Sequence, residues 1–130
     1  MSPSETRGRS ARRLRVLLVE DEIMVALLLE DMLAELGHTV IGPVARLDKA
    51  VEMAQREALD LAILDVNLNG QEVYVVADAL GARRIPFVFA TGYGNGGLHA
   101  AYRHRPTLSK PFLRHDLHRV LAEAYPAKQA

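Results

Sequence analysis

Apolar and polar positions along the chain follow two alternating periods. Residues 14–19, 61–65 and 85–90 are short, nearly unbroken apolar runs, which suit strands covered on both faces. Shorter stretches at 38–44 and 107–109 read as two further strands. Between them, apolar residues recur every three or four positions, as on helices with one buried face. The expected helices cover 23–36, 48–57, 72–80, 98–103 and 114–124. Gly37 and Gly81 mark the ends of the first and third. Strict alternation of strand and helix calls for a five-stranded parallel sheet with right-handed crossovers.

Individual helices differ in how firmly the pattern predicts them. The first carries a core stripe of Val25, Leu28, Leu29, Met32 and Leu36, and adds Ile23, Met24 and Leu27, more apolar surface than one buried face needs. In the second, Ala50, Val51 and Ala54 face inward, and Asp48 sits where the helix dipole favours an acid. Leu117, Val120 and Leu121 give the last helix its core face. The fourth follows the glycine-rich stretch 92–97, and each glycine in a helix costs about 1 kcal/mol relative to alanine. It should start late and fray.

Composition narrows the chemistry. With 130 residues, about half apolar, this is one ordinary domain with room for a core. The absence of cysteine excludes disulfides, thiolate chemistry and Cys-based zinc sites. The longest apolar run, 23–29, is far short of the ~20 residues that span a bilayer. No signal-peptide core precedes the first strand, so no membrane insertion and a cytoplasmic location are expected. Charge is balanced overall, yet Arg7, Arg9, Arg12, Arg13 and Arg15 crowd the amino terminus against Glu5. Residues 1–13 therefore read as a flexible basic tail, 14–125 as the domain and 126–130 as a short C-terminal tail. No aromatic residues interleave the arginines, which favours a solvated extension over a nucleic-acid arm.

The polar residues that interrupt the pattern share one position. Glu20 and Asp21, Asp65, Thr91 and Lys110 each stand at the carboxyl end of an expected strand. In a doubly wound sheet those ends lie along one edge, where such folds bind ligands. Carboxylates gathered there repel each other unless a cation lies between them. With oxygen donors and no nearby His or Cys, that cation should be hard, which points to Mg²⁺.

Val16-Leu17-Leu18-Val19-Glu20-Asp21-Glu22, Leu64-Asp65-Val66-Asn67, Ala90-Thr91-Gly92 and Ser109-Lys110-Pro111-Phe112 together resemble, in order and spacing, the receiver domain of two-component response regulators. Phe89-Ala90-Thr91-Gly92-Tyr93-Gly94 further resembles the FAT GUY subfamily of stand-alone receivers, partnered with histidine kinases of the HWE or related type. The resemblance implies an α/β (βα)5 flavodoxin-like fold with strand order 2-1-3-4-5. It implies Asp65 as phosphoacceptor, with a sensor histidine kinase or phosphotransfer protein as donor. Glu20, Asp21, Asp65 and the Asn67 carbonyl would hold Mg²⁺. Lys110 and Thr91 would contact the phosphoryl oxygens, Gly92 would keep the approach open, and the Lys110–Pro111 bond would be cis. The role implied is a switched single-domain receiver or a phosphate sink, not a turnover enzyme.

Two positions depart from the family. Thr107 occupies the place, three before the lysine, where many receivers carry an aromatic switch residue. The switch is therefore expected in Thr91, Gly92, Tyr93 and the frayed stretch up to residue 103, ordering on phosphorylation. The surplus apolar surface of the first helix, Met24 and Leu27 above all, is expected to dock the kinase. Homodimerisation is left open.

Other readings compete. Asp65 alone could begin a turn and Lys110 alone could be a solvated loop lysine. Glu22 reads as a first-turn acid favoured by the helix dipole. His99, His104, His115 and His118 scatter too widely for a zinc site, although His115 and His118 could share a helix face. A haloacid-dehalogenase-like phosphatase also uses an Asp nucleophile, Mg²⁺ and a lysine, but places its two acids two residues apart on the first strand. A DNA-associated regulator using the arginine tail is the third class.

Overall fold

Arg15–Val19 (β1) and Leu61–Asp65 (β3) form the centre of the sheet, and all but the exposed Arg15 are buried, as unbroken apolar runs require. The computed structural model describes residues 13–92 and 97–125. The basic tail short of Arg13, Tyr93 of the expected switch and the C-terminal tail lie outside them. Thr39–Val44 (β2), Phe87–Thr91 (β6) and Thr107–Ser109 (β7) complete a five-stranded sheet in the order β2-β1-β3-β6-β7, every pair parallel. This is the 2-1-3-4-5 order of a flavodoxin-like receiver fold once the small strands β4 (Asn67–Leu68) and β5 (Gln71–Glu72), a separate hairpin, are set aside.

Side chains alternate across the strands and feed two cores. Leu17, Val19, Ala62, Leu64, Phe87 and Phe89 pack on one face against the helices Leu47–Arg56 (α2) and Tyr74–Ala82 (α3). Val16, Leu18, Leu61, Ile63, Val88 and Ala90 pack on the other against Ile23–Glu35 (α1) and Arg114–Ala124 (α4). Each fully buried leucine or isoleucine contributes roughly 1.5–3 kcal/mol of burial. No helix among the described residues is long and apolar enough to cross a membrane.

Several boundaries differ from the sequence expectation. The inward stripe of α1 is Ala26, Leu29, Met32 and Leu33, while Leu28 points to solvent beside Ile23, Met24 and Leu27. The surplus apolar surface is therefore larger than the sequence suggested. The third helix runs through Gly81 and stops at Arg83, because the Arg84 and Ile85 amides donate back to Gly81 and Leu80 and Arg84 takes a left-handed φ of 60°. The expected helix at 98–103 is a single 3₁₀ turn, Ala100–Tyr102, held by ring contacts to α3.

β1 meets β2 through a bulge between Leu17 and Val19. Gly42 makes it possible: its φ is +106°, and a Cβ there would lie 2.9 Å from both Leu18 O and Val44 N. Just beyond, the Glu20 amide donates to Val44 O at 3.0 Å. The bulge therefore sets where the chain leaves β1 for the acidic loop. The Gly42–Pro43 and Lys110–Pro111 bonds are both cis.

Candidate functional site

The chain leaves β1, β3, β6 and β7 along one edge of the sheet, and each exit supplies a polar side chain. Glu20, Asp65 and Thr91 are buried there, and burial is unusual for two acids without a partner. Lys110 is that partner. Its Nζ lies 3.3 Å from Glu20 Oε1, 3.4 Å from Glu22 Oε1 and 3.5 Å from Asp65 Oδ1. The Lys110 backbone N–H donates to Thr91 O at 2.8 Å, tying the lysine loop to the end of β6.

Carboxylate oxygens of Glu20, Asp21 and Asp65 lie within 4.8 Å of one another. Burial, then the charge of Glu20, pushes the Asp65 carboxyl up from 3.8 to about 8 against the pull of Lys110. Burial pulls the Lys110 ammonium down, but the charges of Asp65 and Glu20 outweigh it and the net shift is upward. One lysine thus leaves the acidic trio short of positive charge. Glu20 Oε1 is buried without a hydrogen-bond partner among the described residues, and the Lys110 ammonium lies 3.3 Å away. Three hard oxygens converging around under-neutralised charge fit a divalent cation such as Mg²⁺.

The loop after Asp65 braces this arrangement. Asn69 and Gly70 both take positive φ, 52° and 84°, and turn the chain into the β4–β5 hairpin. The Asn67 N–H reaches Asp65 Oδ1 at 3.4 Å, the Asn69 N–H donates to Asp21 Oδ2 at 2.9 Å, and the Gly70 N–H donates to Asn67 Oδ1 at 2.7 Å. Hairpin and acidic cluster are thereby linked across 48 residues of sequence. This hairpin was missed in the sequence, although Asn-Gly is its strongest short-range signal.

A cleft of about 600 Å³ opens over the acids, lined by Asp21, Glu22, Asp65, Asn67, Glu72, Thr91, Gly92 and Lys110 among others. Among the described residues, a Cβ on Gly92 would meet no atom within 4 Å. Thr107 is half-buried on β7, opposite Phe89, and its hydroxyl donates to Arg105 O at 3.1 Å. It does not line the cleft. Met24 and Leu27 project from α1 to solvent, 78% and 54% exposed. Glu22 departs from its expected role: it is the N-cap of α1, but its carboxylate makes no cap bond and reaches Lys110 instead.

Residues 16–122 match the response regulator receiver domain family. The chain belongs to that family. The transcriptional regulatory protein PdtaR of Mycobacterium tuberculosis is 32% identical to this receiver over 107 residues, 79% of this chain and 52% of PdtaR. The receiver spans about half the length of the curated relatives it matches. The solution structure of SdrG from Sphingomonas melonis Fr1 resembles the receiver with a TM-score of 0.78 at 42% identity, over 85% of this chain and 94% of that one. The receiver domain of sensor histidine kinase PA1611 from Pseudomonas aeruginosa PAO1, with a magnesium ion coordinated in its active site cleft, gives 0.75 at 29% identity, over 87% and 98%.

Proposed function

We propose that this receiver accepts a phosphoryl group on Asp65 from a phosphohistidine of a sensor histidine kinase, of HWE or related type, or of a phosphotransfer protein. The observation that carries the reading is the meeting of Asp65, at the end of the central strand, with Lys110 Nζ at 3.5 Å inside an acidic cleft. An Asp65 oxygen attacks phosphorus, the P–N bond breaks, and the imidazole leaves with its electron pair. Such transfer needs in-line placement and neutralised charge more than acid or base chemistry. Lys110 supplies a compact positive charge to the phosphoryl oxygens, and the Thr91 hydroxyl, on the same cleft, offers a hydrogen bond to one of them.

Glu20, Asp21, Asp65 and the Asn67 carbonyl are the groups that would hold Mg²⁺. The ion would neutralise the acids and the incoming phosphoryl group. Without it, burial keeps the Asp65 carboxyl protonated at neutral pH and a poor nucleophile.

Phe89-Ala90-Thr91-Gly92, followed by Tyr93, supports membership of the FAT GUY receivers. The aromatic switch position holds Thr107, so the segment from Thr91 through Gly92 and Tyr93 carries the conformational response. Met24 and Leu27, exposed at the start of the helix that follows Glu20 and Asp21, form the docking surface for the donor. The output is a switched signal or removal of phosphoryl groups from another pathway.

The test is incubation of the protein with a small phosphodonor and Mg²⁺, read by intact mass and peptide mapping. Wild type should gain one phosphoryl group, labile to base and to hydroxylamine, that Asp65→Asn does not. Equal incorporation by Asp65→Asn would sink the assignment.

A further inference from the structure

Glu22 is placed to cap α1 and does not. Its backbone is extended, at φ −86° and ψ 114°, as an N-cap requires, but its side chain accepts no bond from the first turn. Acids at this position ordinarily satisfy the free amides of that turn and meet the positive end of the helix dipole. Here the carboxylate turns away, and Oε1 lies 3.4 Å from Lys110 Nζ, 88 residues along the chain.

Three carboxylates share that one ammonium, and they are not equivalent. The side chains of Glu20 and Asp65 are 1% and 9% exposed, so water cannot take the lysine's place beside either of them. Glu20 is fixed further by accepting the Glu22 backbone N–H at 3.2 Å. Glu22 is 64% exposed, and water replaces its lost partner at little cost. It is therefore the partner that Lys110 can exchange.

We propose that Glu22 is a positioning residue that holds the Lys110 ammonium at the rim of the cleft and yields it when an oxyanion arrives at Asp65. The proposal rests on Asp65 as the phosphoacceptor and adds a residue that sets how readily the site takes the group. Two effects of its charge act in the same direction. Glu22 stabilises the lysine in the resting position, and its carboxylate repels a dianion entering the same cleft. Orientation of Lys110 survives without it, because the buried Glu20 pair remains.

Beryllofluoride in the presence of Mg²⁺ serves as the phosphoryl mimic, with affinity read from amide NMR shifts. Glu22→Gln keeps the shape and removes the charge. Glu72→Gln is the control: Glu72 lines the same cleft and is equally exposed at 65%, but pairs with His99 rather than Lys110. Glu22→Gln should bind the mimic roughly two- to fivefold more tightly than wild type, the range an exposed ion pair supports. Glu72→Gln should change by clearly less. Equal gains in both variants would reduce the effect to bulk charge and overturn the proposal, as would weaker binding by Glu22→Gln. A purely structural cap would show instead as a lower thermal midpoint with unchanged affinity, which also overturns it. Identical shifts in wild type and Asp65→Asn would overturn the acceptor assignment itself.

Discussion

Tyr74 and His99 lie ring on ring, centroids 3.9 Å apart and planes 21° from parallel, while the Tyr74 hydroxyl oxygen accepts the His99 backbone N–H at 2.9 Å. Tyr102 also stacks on Tyr74, at 5.3 Å, and its hydroxyl donates to Asp78. His99 Nε2 pairs with Glu72 at 3.2 Å. The chain beyond the cleft is thus pinned to α3 by rings, where the sequence suggested a helix of its own.

Tyr74→Phe keeps the stack and removes the acceptor, leaving the His99 amide unpaired. The cost should be about 1 kcal/mol, with faster hydrogen exchange at that amide. Tyr74→Ala also removes the ring and should cost about 3–5 kcal/mol. Unchanged exchange at His99 in Tyr74→Phe would show that the bond does not hold the segment.

Asp65 makes stability depend on pH. Its carboxyl titrates at about 8 in the folded chain against 3.8 in the unfolded one. The unfolded state therefore loses its proton first, and the share of metal-free stability that Asp65 sets, full below 3.8, is lost as pH rises towards 8. Asp65→Asn removes this dependence. It should match wild type at the acid end and be clearly more stable than wild type near pH 8 in metal-free urea melts. Mg²⁺ should then stabilise wild type more than the variant. A variant no more stable than wild type at the alkaline end would contradict the buried-charge account.

His38 works in the opposite direction. Its Nδ1 accepts the Leu14 amide at 3.1 Å, so the ring must be neutral there. Burial, then the neighbouring His118 and Arg13, pushes its pKa below 6.5. As pH falls through 6.5 the unfolded state takes up the proton first, and stability present above that point declines until the folded ring also protonates. His38→Asn offers an acceptor that cannot titrate. Its denaturation midpoint should fall less across that window than that of wild type, and an identical slope would assign the loss to other groups.

Gly42 and Gly37 both have left-handed φ, at +106° and +93°, but only Gly42 is crowded. Gly37→Ala should cost about 1–2 kcal/mol, the conformational penalty alone. Gly42→Ala must also move the backbone at Leu18 or Val44 and should cost more, with faster exchange of the Glu20 amide. Equal costs would mean that the bulge relaxes freely.

The convergence of Glu20, Asp21, Asp65 and Lys110 was legible in the sequence, because strand ends in a parallel sheet share one edge and unbroken apolar runs mark those strands. The helices at 23–36, 48–57 and 114–124 were equally readable from their spacing. The hairpin was overlooked because Val66 to Gly70 has too few apolar residues to show a period, although Asn69-Gly70 announced the turn. Leu28 and Leu33 exchanged places because α1 is apolar on nearly every side, and spacing alone could not orient it. The reach of Glu22 to Lys110 depends on a side-chain path between two loops, which no local pattern encodes.

The backbone amides that brace the acidic loops also bear on ionic selectivity. Glu20 Oε2 is engaged by the Glu22 amide, Asp21 Oδ2 by Asn69 and Asp65 Oδ1 by Asn67. An oxygen that already accepts an amide is less free for a cation, so the three acids would offer their other oxygens first. Such an arrangement would suit a small octahedral ion that retains its own water better than Ca²⁺, which gains from gripping both oxygens of an acid.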